Sequence, residues 1–117
     1  TGTWRQVLPF VAPLAAMVRE WGDLTQFVAA KAGESPDEPG AAAVDYLRVC
    51  GHLVFAYLWA RMAKIALAKQ DSGDPFYAAK VATARFYFAK LLPETAGLIR
   101  SARAGAAPLL AMDEALF

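Results

Sequence analysis

The chain has 117 residues, 57% of them hydrophobic, with 12 basic residues against 11 acidic ones and a formal net charge of +1. That length bounds it to a single domain, 1–117, with a sizeable core. The apolar content excludes disorder, and the near-neutral charge excludes a phosphate-backbone binder, so no nucleic-acid partner is expected.

Segment one, about residues 3–32, carries Trp4, Val7, Val11, Leu14, Val18, Trp21, Thr25 and Val28 at alternating spacings of three and four. That period is helical and predicts one buried stripe. Pro9 and Pro13 remove hydrogen-bond donors and are expected to kink this helix or delay its start. On the far side Arg19 and Asp23 stand in i,i+4 relation. The run from Gly33 to Gly40 is dense in turn formers and marks the first break.

Segment two, about Ala41 to Lys69, has a stripe of Val44, Leu47, Gly51, Val54, Leu58, Met62 and Ile65, and a second of Tyr46, Cys50, Leu53 and Tyr57. Apolar nearly all round from 49 to 60, it reads as the central and most buried helix. Gly51 costs it about 1 kcal/mol relative to Ala, which the close approach of a neighbouring helix would offset. The uncharged run Val49 to Ala60 is shorter than a membrane span of about 18 residues, so no membrane partner is expected. The second break, Gln70 to Pro75, ends in Asp74-Pro75, a strong helix start: the carboxylate caps free N–H groups and proline suits the first helical position.

Segment three, about Pro75 to Ala104, places Tyr77, Val81, Ala84, Phe88, Leu91, Thr95, Leu98 and Ala102 on one stripe. Pro93 is expected to kink it near Ala89 and Lys90, and Gly105 to stop it. The tail from Pro108 to Phe117 reads as a short extra turn with Leu109, Leu110, Met112, Leu116 and Phe117 available to dock. No stretch alternates with period two, so no strand is predicted. The fold class is therefore all-α: an up-down-up bundle of three long helices with a short C-terminal turn.

Catalytic chemistry finds little support. His52 is the only histidine and Cys50 the only cysteine; two residues apart on a helix, they share no face, which argues against a metal site or a nucleophilic pair. A lone cysteine also gives no disulfide framework and fits a reducing, cytoplasmic setting. The acidic pairs Glu20/Asp23 and Asp113/Glu114 read as solvated faces. The cations Arg61, Lys64, Lys80 and Arg85 read first as long stems over apolar surface, and alternatively as contacts to a partner carboxylate or to a phosphate. Phe86, Tyr87 and Phe88 are consecutive, so at least one of them faces away from a single partner. No catalytic, cofactor-binding or metal residue is assigned.

The runs Phe76-Tyr77, Ala79-Lys80, Thr83-Ala84-Arg85-Phe86-Tyr87-Phe88 and Leu92-Pro93-Glu94, with Arg61-Met62-Ala63-Lys64 upstream and Arg103-Ala104-Gly105-Ala106 after, carry a resemblance. They resemble the C-terminal extension of a bacterial subgroup of acyl-CoA dehydrogenases, the long-chain and 3-methylmercaptopropionyl-CoA dehydrogenase type. The resemblance implies a parent enzyme that dehydrogenates the Cα–Cβ bond of an acyl-CoA thioester, using FAD and an electron-transfer flavoprotein. It implies a homo-oligomer, and upstream domains that hold the catalytic base and the flavin; Glu94 is not that base. The start at Thr1, without an initiator Met, fits a piece of such a longer protein. On this reading Arg61, Lys64, Lys80, Arg85, Phe86 and Tyr87 are candidates for an interface or for contacts to CoA phosphates. The rival readings are a free-standing, self-associating helical module and, more weakly, a peripheral membrane binder.

Overall fold

A computed structural model describes residues 3–117. Helix α1 spans Thr3–Ala32, α2 spans Asp37–Lys69, α3 spans Pro75–Phe86, α4 spans Glu94–Ala102 and α5 spans Ala107–Leu110. Short 3₁₀ turns cover Gln70–Ser72 and Glu114–Leu116, a π-helical turn covers Tyr87–Leu91, and the described residues contain no strand. The molecule is all-α, but the third helix is two helices joined by the π turn. Helix α2 is the hub, in contact with α1, α3 and α4, whose buried residues share clusters on its alanine face.

The caps fall where the sequence puts them. Gly73, at φ 88°, supplies the left-handed turn before α3, and the Asp74 carboxylate accepts the Phe76 N–H at 2.9 Å ahead of Pro75. Gly105, at φ 77°, turns the chain after α4. The first break is shorter than expected, because α2 begins at Asp37 with Pro39 and Gly40 already in its first turns. Proline needs no donor there.

Pro9 and Pro13 do not delay α1, which starts at Thr3 and is continuous through both. The carbonyls that lose their donors belong to Arg5 and Pro9, and both residues are exposed, so water can serve them. The buried stripe also differs. Phe10, Met17 and Leu24 are the buried residues, flanked by half-buried Val7, Leu14, Trp21 and Val28. Trp4, Val11 and Val18 face out. Two stripes share the heptad 7, 14, 21, 28, and the helix uses the one offset by three residues rather than four. Arg19 and Asp23 close no ion pair.

Helix α2 is turned further still. It buries Ala42, Val49, Ala56, Ala60, Ala63, Ala66 and Leu67. The expected stripe points away from the bundle: Val44 is 72%, Leu47 71%, Val54 54%, Leu58 44% and Ile65 52% exposed. No helix approaches Gly51, whose missing Cβ would meet no neighbour within 4 Å. With the following turn, α2 forms a segment, Asp37–Ser72, long and apolar enough to cross a membrane by length and composition, with 17% of the most apolar window buried. The uncharged run alone is too short; a window admitting two charges is not.

Pro93 breaks the third helix as expected, through a specific device. Its ring cannot follow the α-helical path past the carbonyl four residues earlier. The chain widens by one residue, and Leu92 N–H donates to the Tyr87 carbonyl at 2.9 Å in a π-type bond. Thr95 N–H and its Oγ1 then both donate to the Leu92 carbonyl, at 3.0 and 2.9 Å, restarting the helix. The extra residue buries Leu92 in place of Leu91.

The tail does not dock: Leu109, Leu110, Met112, Leu116 and Phe117 are all exposed. The chain is long and flat, with extents of 66 × 28 × 15 Å and a radius of gyration of 18.8 Å, against about 13 Å for a compact domain of this length. It exposes 7824 Å², whereas a compact monomer of this mass exposes about 6,200 Å². Because Gly51 sits in a helix interior with open space beside it, Gly51→Ala is expected to raise stability by about 0.5–1 kcal/mol. Urea denaturation of the two chains checks this, and a loss of stability would mean that a backbone packs there.

Candidate functional site

The end of α2 and the start of α3 bring several of the sequence-selected cations together. Tyr57, Arg61, Lys64, Ile65, Ala68 and Lys69 line one open groove, and Met62, Ile65, Ala66, Phe76, Tyr77 and Lys80 line the hollow beside it. Ile65 is common to both. Successive turns of α2 place Tyr57, Arg61, Lys64 and Ala68 on one side, so the spacing of three and four that made them a motif also makes them a wall.

The stems lie over aromatic rings. Arg61 Cζ is 5.7 Å from the Tyr57 ring centre and Lys69 Nζ 5.7 Å from that of Tyr77. Lys80 Nζ is 5.2 Å from Phe76 and 5.9 Å from Trp59. These contacts steady the cations, and none of Arg61, Lys64, Lys69 and Lys80 forms an ion pair among the described residues. Lys69 was not singled out in the sequence, because nothing there shows that the chain folds Tyr77 back beneath it. Arg85 and Phe86 stand exposed on α3 and line neither hollow.

Tyr87 lies in the core, 4% exposed. The three consecutive aromatics separate as their spacing demands. Phe86 faces out, Tyr87 meets Phe55 and His52 of α2, and Phe88 meets Phe10 of α1 edge-on at 5.6 Å. Tyr87 Oη donates to the His52 carbonyl at 3.0 Å, so its lone pair accepts from His52 Nδ1 at 2.9 Å. His52 Nε2 then faces Glu94 Oε1 at 3.6 Å, and the Arg48 guanidinium donates to the same oxygen through Nε and Nη2. Sequence reading missed this chain of four, which joins α2 to the π turn and α4.

Nothing in the cluster is arranged as a nucleophile with its base. Cys50 Sγ accepts the Trp21 indole N–H at 3.3 Å and points elsewhere. Among the described residues no group of three His, Cys, Asp or Glu converges to hold a metal ion. A further groove between α1 and α2, lined by Leu14, Val18, Leu53, Val54 and Tyr57, is apolar throughout and opens beside the exposed stripe of α2. The arrangement offers two kinds of surface, one apolar and one apolar with a cationic edge, and a structural polar cluster.

A family model described as "Acetyl-CoA dehydrogenase C-terminal like" matches residues 3–113. A search of curated proteins finds no match.

Burial, and secondarily the Glu94 carboxylate, push the Tyr87 phenol up to about 12. The hydrogen bond from Arg48 is the main cause holding Glu94 below the usual carboxylate range. The signs are opposite. Raised in the folded state, Tyr87 contributes stability that is complete below pH about 10 and is lost as the pH climbs toward 12. Glu94 contributes stability that is lost on acidification through its lowered value. Tyr87→Phe is expected to cost about 0.5–1.5 kcal/mol at neutral pH, since the His52 carbonyl and Nδ1 lose the phenol as a partner while the carbonyl keeps its helical donor. It is also expected to flatten the decline between pH 10 and 12. Denaturant titrations of both chains across that range measure it, and an unchanged alkaline slope would contradict the assignment.

Proposed function

We propose that this chain, which belongs to the acetyl-CoA dehydrogenase C-terminal-like family, is the non-catalytic helical C-terminal domain of an FAD-dependent acyl-CoA dehydrogenase. The observation that carries this reading is the match over residues 3–113, joined to an apolar face that the chain does not cover itself. The domain's mechanism is structural. The stripe Val44, Leu47, Val54, Leu58 and Ile65, with Val11 and Val18 of α1 across the Leu14–Leu53 groove, packs on the upstream catalytic domains and supports assembly of the subunits.

The parent enzyme removes two hydrogens from the Cα–Cβ bond of an acyl-CoA thioester in a cytoplasmic setting, and passes electrons to an electron-transfer flavoprotein. Its substrate class follows the long-chain and 3-methylmercaptopropionyl-CoA subgroup. When bound, FAD supplies the hydride acceptor for that reaction. The residues here do not fit the flavin themselves: the α1–α2 groove offers it apolar walls only, and the cationic groove has no convergent set of backbone donors for a pyrophosphate. The chain's residues therefore act by packing. Its alternative as a free-standing module lacks a comparable supporting observation.

The 117-residue chain alone is expected to show neither flavin absorbance nor acyl-CoA dehydrogenation, whereas the complete reading frame that contains it does both. Leu47→Asp and Leu58→Asp are expected to leave the isolated chain within about 0.5 kcal/mol of its original stability, because both sites are exposed. In the complete enzyme the same changes lower the melting temperature and loosen subunit assembly. Turnover by the isolated chain, or indifference of the complete enzyme to both substitutions, would overturn the reading.

A further inference from the structure

The polar cluster of Arg48, His52, Tyr87 and Glu94 has a direction that packing alone does not require. Tyr87 has one hydroxyl proton, and it goes to the His52 carbonyl at 3.0 Å. The phenol oxygen therefore meets His52 Nδ1, 2.9 Å away, with a lone pair, and Nδ1 supplies the proton of that bond. A neutral imidazole carries a single N–H, so its Nε2 keeps a lone pair. That nitrogen faces Glu94 Oε1 at 3.6 Å. A bare nitrogen against a carboxylate oxygen is repelled, and a protonated one is attracted. We infer that His52 is a proton-operated latch between α2 and α4, closed when Nε2 carries a proton and loosened when it does not.

The groups around the ring come from three elements. The π turn contributes the Tyr87 phenol, α4 the Glu94 carboxylate, and α2 itself Arg48, which donates to the same Glu94 oxygen. Helices α1 and α3 give the ring no hydrogen bond or ion pair among the described residues. Histidine is the side chain that ordinarily changes charge between about pH 5 and 8. The other members hold their charge across that window. Arginine stays protonated, Arg48 keeps Glu94 ionised below the usual carboxylate range, and burial keeps Tyr87 neutral. The sign follows from the proton. The closed latch holds it in the folded state, so the contribution is present on the acid side and is lost as the pH rises. Glu94 acts in the opposite sense, and only at lower pH.

Exposure decides which link of the cluster matters. The His52 side chain is 13% exposed, so little water reaches Nε2 to stand in for the missing proton. The Arg48 and Glu94 side chains are 59% and 44% exposed, and an ion pair so open to water holds little by itself. With Nε2 bare, that pair is what remains to tie Glu94 to α2. Glu94 is the first residue of α4, directly after the break at Pro93. Helix α4 is nine residues long, and past its end Glu38 of α2 holds the Ala106 N–H at 3.0 Å. The latch therefore acts on the start of a short helix that is tied to α2 again just beyond its end. The inference concerns this chain itself and does not depend on the reaction of the parent enzyme.

His52 is the only histidine of the chain, so its imidazole resonances need no assignment. Long-range proton–nitrogen spectra of the chain 1–117 are expected to show the neutral ring protonated on Nδ1, with Nε2 taking up the proton on acidification. Protection of the α4 amides from hydrogen exchange, corrected for the intrinsic rate, should rise with the same midpoint. Glu94→Gln separates the latch from the Arg48 pair. The amide can donate to a bare Nε2 and cannot attract a protonated one, whereas the loss of the Arg48 partner is common to both conditions. Urea titrations should therefore show the substitution lowering the folding equilibrium constant at least about threefold more at about pH 5.5 than at about pH 8. Should that variant fail to fold, the tautomer and the exchange profile of the unmodified chain read the same proton. Should the chain need its parent to fold, exchange of residues 94–102 in the complete protein at the two pH values does so. The inference is overturned if the neutral ring carries its proton on Nε2, if Glu94→Gln costs the same at both pH values, or if α4 protection does not follow the titration of His52.

Discussion

The choice of face that α2 buries governs everything else. The helix is apolar on both sides, and it turns its alanines inward. Ala56, Ala60, Ala63 and Ala66, with Val49 and Leu67, form the floor on which α1, α3 and α4 rest. Small side chains let helix axes approach closely and let large residues of the partners, such as Phe10, Met17 and Leu24, fill the space. The bulky residues that α2 could have buried are left on the opposite side. A domain built to stand alone would gain more by burying Leu47, Val54 and Leu58 at about 1.5–3 kcal/mol each. That it does not do so is a property of the arrangement, and it leaves a hydrophobic stripe where another surface belongs.

The second constraint is Pro93. By forcing one extra residue into the helix, it rotates everything after Leu91 relative to what precedes it. The rotation places Glu94 beside Arg48 and His52, while Tyr87, at the start of the turn, reaches the His52 carbonyl. The polar cluster is thus a consequence of the π turn, and it fixes the turn in exchange. The Tyr87 hydroxyl holds the widened segment to α2, and the Glu94 carboxylate sits in the first turn of α4, where the helix dipole favours it. A cluster of this kind sets the register of the helix on its neighbour without any chemistry of its own.

How much of this was legible depends on whether the signal is local. The breaks, the Asp74-Pro75 start, the Gly105 stop and the kink at Pro93 are written in the residues that make them, and the stripe of the third segment survives except at the π turn. In α1 the heptad Val7, Leu14, Trp21 and Val28 was readable, but the residues completing it were not. Offsets of three and four both give apolar positions, and only the partner decides between them. In α2 the large residues outweighed the alanines, although alanines do the packing. Among the cations, Arg61, Lys64 and Lys80 do meet around one surface, because two are a turn apart and the third is carried to them by the hairpin at Gly73. Arg85 and Phe86 do not join them, and Tyr87 is spent inside. The pairing of Arg48 with Glu94 spans 46 residues and passes through a one-residue insertion, so no period in the sequence could announce it.

The surface left over is the remaining argument about what the chain is for. It exposes about 1,600 Å² more than a compact monomer of its mass. A single standard interface removes roughly half of that from one partner. The excess is the size of one large permanent interface or of two standard ones. The stripe of α2, continuous with Val11 and Val18 of α1, is apolar and nearly uncharged, the composition of a permanent interface within one protein. The groove at the other end of α2 is edged with cations, the composition of a contact that is oriented by charge and weakened by salt. The two surfaces thus differ in kind, one apolar and the other apolar with a cationic edge.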